Sequence, residues 1–142
     1  VPVTIAHLAG PWHAKPTDPD GVLKLLWQDM QEIPEPRWTY YYAREWWYRG
    51  EWEKAAYWFE QRVQDVGFRG EMADAYLYLA RCYWKLNRGN EARQACLLAL
   101  VVNADFKEAA AFMAQLTSGV NAERWNQFAE TAQSRGVVFN RA

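Results

Sequence analysis

Two arginine–tryptophan pairs, Arg44 with Trp47 and Arg81 with Trp84, are the residues best equipped to do chemistry. The members of each pair are three apart, so on a helix they share one face. A guanidinium offers a planar fork of donors matched to a carboxylate. An indole offers an apolar face that stacks on a peptide, a sugar or another guanidinium. The same stripe takes in Arg37 and Tyr40 ahead of the first pair, and Asp74, Leu77 and Lys85 around the second. A wall of this composition can grip an acidic or carboxylate-bearing segment. In the opposing reading both arginines pair with glutamates of adjacent helices and the tryptophans only fill space. The residues alone leave both open.

Other reactive groups are few. The histidines are His7, after a short β-like run, and His13, in a loop rich in Pro and Gly. Both fit ordinary surface positions. There is no Gly-rich phosphate loop, no Cys and His set at metal spacing and no Gly-x-Ser-x-Gly elbow. The carboxylates read mostly as solvated faces. Cys82 and Cys96 lie inside apolar periodic segments, which reads as buried thiols in a reducing compartment, the cytoplasm, rather than as a disulfide.

The elements that must carry these residues repeat. A shift of 37 residues superposes Tyr41 on Tyr78, Ala43 on Ala80, Arg44 on Arg81, Trp47 on Trp84 and Ala55 on Ala92. A further shift of 34 superposes Ala75 on Ala109, Ala80 on Ala114, Asn87 on Asn121 and Ala95 on Ala129. A period near 34 is that of paired helices of the tetratricopeptide type. The small residues Ala43, Ala80 and Ala114 let paired helices approach closely. Gly50, Asn87 and Asn121 then follow each first helix, where a left-handed cap is wanted. Ala55 and Ala92 sit against the first helix, with Phe59 or Cys96 one turn on.

The spacing predicts helices over 36–48, 52–65, 70–86, 90–103, 106–117 and 121–135, with Gly67-Phe68-Arg69-Gly70 as a loop. Before them, Asp18 or Asp20 is placed to cap a helix carrying Val22, Leu25, Leu26 and Met30, which Pro34-Glu35-Pro36 ends. The third repeat is worn: Asn126 stands where alanine is expected, while Trp125, Phe128, Ala129 and Ala132 keep an apolar face, as suits a terminal cap. Gly136 stops the last helix, and Val137-Val138-Phe139 reads as an extended tail. The expected fold is therefore all-α, a right-handed TPR-like solenoid of about three helix pairs over 19–142, preceded by a short extended segment or linker over 1–18. On that fold the arginine–tryptophan stripe becomes the inner concave wall.

Composition excludes several classes. Apolar residues make up 51% of the 142, too many for a disordered chain. No apolar run reaches the roughly 20 residues of a membrane span. The net charge of −1 gives no overall field for nucleic acid or an anionic membrane. The expected partner is a protein or peptide, with self-association as a further possibility, and no nucleic acid or membrane.

Beyond the repeats, Arg37 with Tyr40-Tyr41-Tyr42-Ala43-Arg44-Glu45, then Gly50-Glu51-Trp52-Glu53-Lys54-Ala55, resembles the junction in bacterial and phage family 2 glycosyltransferases that carry C-terminal tetratricopeptide repeats. Tyr78-Leu79-Ala80-Arg81-Cys82-Tyr83 looks like the start of their second repeat, and Val3-Thr4-Ile5-Ala6-His7 looks like the last strand of their GT-A nucleotide-sugar domain. Asp18-Pro19-Asp20 and the helix after it resemble the connector. The S-glycosyltransferases that modify bacteriocin peptides share this two-part plan. The resemblance implies that the chain is the C-terminal, acceptor-positioning part of such an enzyme, and that His7 helps hold a divalent metal only together with an upstream domain. Metal and nucleotide sugar then belong to the parent enzyme; the chain itself needs no cofactor and does not catalyse alone. The alternative is a stand-alone adaptor that binds a partner peptide, with no link to sugar transfer.

Overall fold

The computed structural model describes residues 20–65 and 67–132. The expected extended segment over 1–18, with His7 and His13, lies outside the described residues, as does the expected tail at Val137-Val138-Phe139. The described residues form seven α-helices and no strand: α1 Gly21–Glu32, α2 Pro36–Tyr48, α3 Trp52–Arg62, α4 Arg69–Lys85, α5 Gly89–Val102, α6 Lys107–Leu116 and α7 Gly119–Thr131. Helices α2 and α3, α4 and α5, and α6 and α7 pack as three hairpins. α3 lies on α4 and α5 on α6, so the hairpins stack in chain order, and the first helices α2 and α4 also touch. This is the all-α helical repeat expected from the offsets.

Pro36 opens α2 at its first turn, where its fixed φ suits a helix and its missing N–H is not needed. The helix is amphipathic twice over. Tyr40 and Ala43 face the main core, while Trp38 and Tyr42 join Leu23 and Leu26 of α1 in a second apolar cluster. α1 thus covers the open side of the first hairpin, as a solenoid end requires. Asp20 occupies its N-cap position but makes no capping bond, and its exposed carboxylate lies 3.5 Å from Arg49 instead.

Within each hairpin the helices meet through alanine. Ala43, Ala55, Ala80, Ala92 and Ala109 are fully buried, and Ala114 nearly so. Side chains this small bring helix axes to the close end of the usual 8–10 Å spacing. Aromatic rings add to these contacts. Phe59 of α3 stacks on Tyr78 of α4, ring centroids 5.1 Å apart and planes at 3°, and Tyr40 meets both rings edge-on. The Cys96 thiol donates to the Ala109 carbonyl at 3.1 Å, tying α5 to α6. A buried ion pair fastens the first junction: Arg62 Nε donates to Glu71 Oε1 at 2.7 Å while Arg62 Nη1 reaches the Asp65 carbonyl at 3.1 Å.

The turns follow the sequence twice and depart from it once. Gly50 and Asn87 take left-handed backbone, at φ +73° and +61°, directly after α2 and α4. Asn121 does not take this role. Gly119 does, at φ +62°, and Asn121 lies inside α7. The Thr117 hydroxyl closes α6 by donating to the Met113 carbonyl at 2.8 Å, so the third turn comes early. Two boundaries also move. α3 ends at Arg62 rather than 65, where the Arg62–Glu71 pair pins the chain, and α4 begins at Arg69, so Arg69 and Gly70 are helical rather than loop.

Two outcomes test this packing. Ala80→Leu or Ala55→Leu overfills a closed helix contact and should cost about 1–3 kcal/mol, read as a lower urea midpoint; unchanged midpoints would contradict the alanine contacts. Arg62→Ala strands the buried Glu71 carboxylate and should cost about 3–5 kcal/mol. The double replacement Arg62→Met with Glu71→Leu should recover most of that loss in the same melts.

Candidate partner groove

The first helices α2, α4 and α6 line a shallow open groove of about 390 Å³. Trp47 comes from α2, Arg81, Trp84 and Lys85 from α4, and Glu108, Phe112 and Gln115 from α6. Trp84 is 49% exposed and is the apolar residue of the groove most open to solvent. Its ring meets Phe112 edge-on at 6.3 Å. Trp47 is half-buried, wedged between Trp52 at 4.8 Å and Tyr78 at 5.5 Å. It therefore fills space between hairpins as well as facing the groove.

The cations of α2 and α4 rest on aromatic rings, Arg81 and Lys85 lining the groove and Arg44 standing outside its lining. The Arg44 guanidinium lies 5.4–5.6 Å from the centroids of Tyr40, Tyr41 and Tyr48. Arg81 covers Tyr78 at 5.7 Å, and the Lys85 ammonium stands between Trp52 and Trp84, at 5.4 and 5.8 Å. Among the described residues neither Arg44 nor Arg81 makes an ion pair with a carboxylate. The alternative in which both are taken up by glutamates of neighbouring helices is therefore not what the fold adopts. A ring face orients a guanidinium without using up its in-plane donors, so those donors stay available to an anion.

Three of the expected wall residues are not at the surface. Tyr40, Leu77 and Asp74 are buried, and none of them lines the groove. Tyr40 and Leu77 occupy the same repeat position, 37 residues apart, and both are fully buried. The Tyr40 hydroxyl donates to Asp74 Oδ2 at 2.5 Å. Burial raises the Asp74 carboxyl above the usual carboxylate range, against the opposing pull of Tyr40, Arg81 and Arg44. Burial likewise raises the Tyr40 and Tyr78 hydroxyls, so both stay protonated donors. Arg37 is apart from the groove, exposed at the start of α2 and 3.3 Å from Glu35.

The α6 side of the groove is absent from the sequence reading, although the repeat marks it. A shift of 34 carries Asp74 onto Glu108, Tyr78 onto Phe112 and Arg81 onto Gln115. None of the three is an identity, so these positions keep their place while changing their chemistry.

The groove holds no catalytic set. Cys82 and Cys96 are free and buried, and burial pushes both thiols up to about 12, out of the range of a useful nucleophile. Among the described residues no group of three or more His, Cys, Asp or Glu side chains is placed to hold a metal ion. His7, the one expected metal ligand, lies outside them. No helix among the described residues is long and apolar enough to cross a membrane.

Comparison with known proteins agrees with the helical-repeat fold. A tetratricopeptide-repeat family model matches residues 49–116, from the turn after α2 to the end of α6. No curated protein matches the sequence. Over that span the chain is similar to the tetratricopeptide repeat, and its described part as a whole is an all-α helical repeat of that type, the architecture of a protein-interaction module.

Proposed function

We propose that the groove along α2, α4 and α6 binds an extended segment of a partner protein or peptide that bears a carboxylate and an aromatic or aliphatic side chain. One observation carries the reading. Arg44 and Arg81, on adjacent first helices, are held on ring faces with no carboxylate partner among the described residues, beside the exposed indole of Trp84. A ligand carboxylate supplies the missing acceptor, and Trp84 with Phe112 takes the apolar side chain. Each charge-assisted bond contributes about 1.5–3 kcal/mol, enough for single substitutions to register.

The resemblance to family 2 glycosyltransferases supports a finer reading, in which the bound segment is the acceptor and the chain positions it for a catalytic domain. Among the described residues no group of three or more His, Cys, Asp or Glu side chains is placed to hold the metal of that reaction. His7 is then a metal ligand of the parent enzyme, which uses a divalent cation and a nucleotide sugar in the cytoplasm. The stand-alone adaptor remains the competing reading, and no observation on the groove favours it.

Binding and stability measured together test the groove. Arg81→Ala and Trp84→Ala should each weaken partner affinity roughly ten-fold or more while leaving the melting temperature nearly unchanged. A clear drop in melting temperature with full affinity would make these residues structural. The accessory reading makes a separate prediction: the purified 142-residue chain should neither hydrolyse nor transfer a nucleotide sugar. Turnover abolished by a point substitution within it would reveal an active site in the chain.

A further inference from the structure

Asp74 is a carboxylate enclosed directly beneath a basic groove. Its side chain is 1% exposed, Oδ2 accepts from Tyr40, and Oδ1 has no hydrogen-bond partner among the described residues. Charged and titratable neighbours face it from every first helix: Tyr40 and Arg44 from α2, Tyr78 and Arg81 on its own α4, and Glu108 from α6. Neither arginine makes an ion pair with it. Both are carried on rings instead, their in-plane donors free for an anion in the groove.

We propose that Asp74 is an internal counter-charge that sets the groove's affinity for anions: ionised, it offsets the field of Arg44 and Arg81, and neutral, it releases that field to the ligand. This rests on the reading of the groove as an anion-binding surface. The physical reason is the setting. A charge enclosed by protein is screened far less than one in water, so a buried carboxylate acts on nearby guanidiniums at a distance where an exposed one would not. Glu108 is the only other acid among these neighbours, and it stands at the groove's edge, in solvent's reach.

The sign of the pH effect follows from burial. Asp74 holds its proton more tightly in the folded chain than in the unfolded one, chiefly because burial disfavours its charged form. The stability this contributes is present in acid and fades as pH rises through the folded value. Anion affinity moves the same way, strongest where Asp74 is neutral. Asp74→Asn keeps an oxygen to accept from Tyr40 and removes the charge at every pH.

The test uses the full 142-residue chain and a fluorescein-labelled peptide alternating cysteic acid with phenylalanine, whose sulfonates stay ionised throughout. Binding by anisotropy is followed from pH 8 to 5, with Glu108→Gln in both backgrounds to remove the other acid. Wild type should tighten as pH falls. Asp74→Asn should bind roughly ten-fold tighter than wild type at pH 8 and should lose most of the pH dependence. Equal affinity and an equal pH profile in the two proteins would overturn the proposal. A second readout needs no ligand: the carbon-13 carboxyl titration of Asp74 should move to higher pH in Arg44→Gln and in Arg81→Gln. An unmoved midpoint refutes the coupling, even if the peptide binds and even if Asp74→Asn fails to fold. A moved midpoint with no peptide bound at any pH refutes instead the anion-binding reading of the groove.

Discussion

Close approach of helices through alanine is the constraint on which the other features depend. Ala43 and Ala55 in the first hairpin and Ala80 and Ala92 in the second are fully buried, so small side chains hold inner positions on both helices of each pair. Aromatic rings fill the larger positions, both within the first hairpin, where Tyr42 meets Trp58 and Trp47 meets Trp52, and between hairpins. The stacked Phe59 and Tyr78, with Tyr40 at their edge, form the thick layer where the first two hairpins meet.

That arrangement also explains why the groove is both aromatic and basic. The face of an aromatic ring is an electrostatic seat for a cation. Arg44, Arg81 and Lys85 occupy such seats. A guanidinium placed this way is oriented without being neutralised, unlike Arg62, whose charge is consumed by the buried Glu71. The two kinds of arginine divide the labour: one closes a junction, the others leave donors for a partner.

The period, the three hairpins, the buried alanines and the left-handed caps at Gly50 and Asn87 were all legible in the sequence, because each depends on residue size or backbone freedom at a fixed local spacing. Helix ends were less so. α3 stops at Arg62 because of an ion pair to Glu71, nine residues away, and Gly119 displaces Asn121 because α6 closes early on Thr117. Those outcomes are set by partners that a periodic pattern does not register.

The sequence by itself determined which residues share a helical face, and hence that Arg44, Trp47, Arg81 and Trp84 belong to one stripe. Only the tertiary structure decided how deep each position lies. Tyr40, Asp74 and Leu77 belong to the same stripe and are buried by the approach of α4 to α2, while α6 adds Glu108, Phe112 and Gln115 from the far side. Depth depends on how near the next helix comes, and that distance is fixed by side chains elsewhere in the chain. The periodicity of one helix carries no record of them.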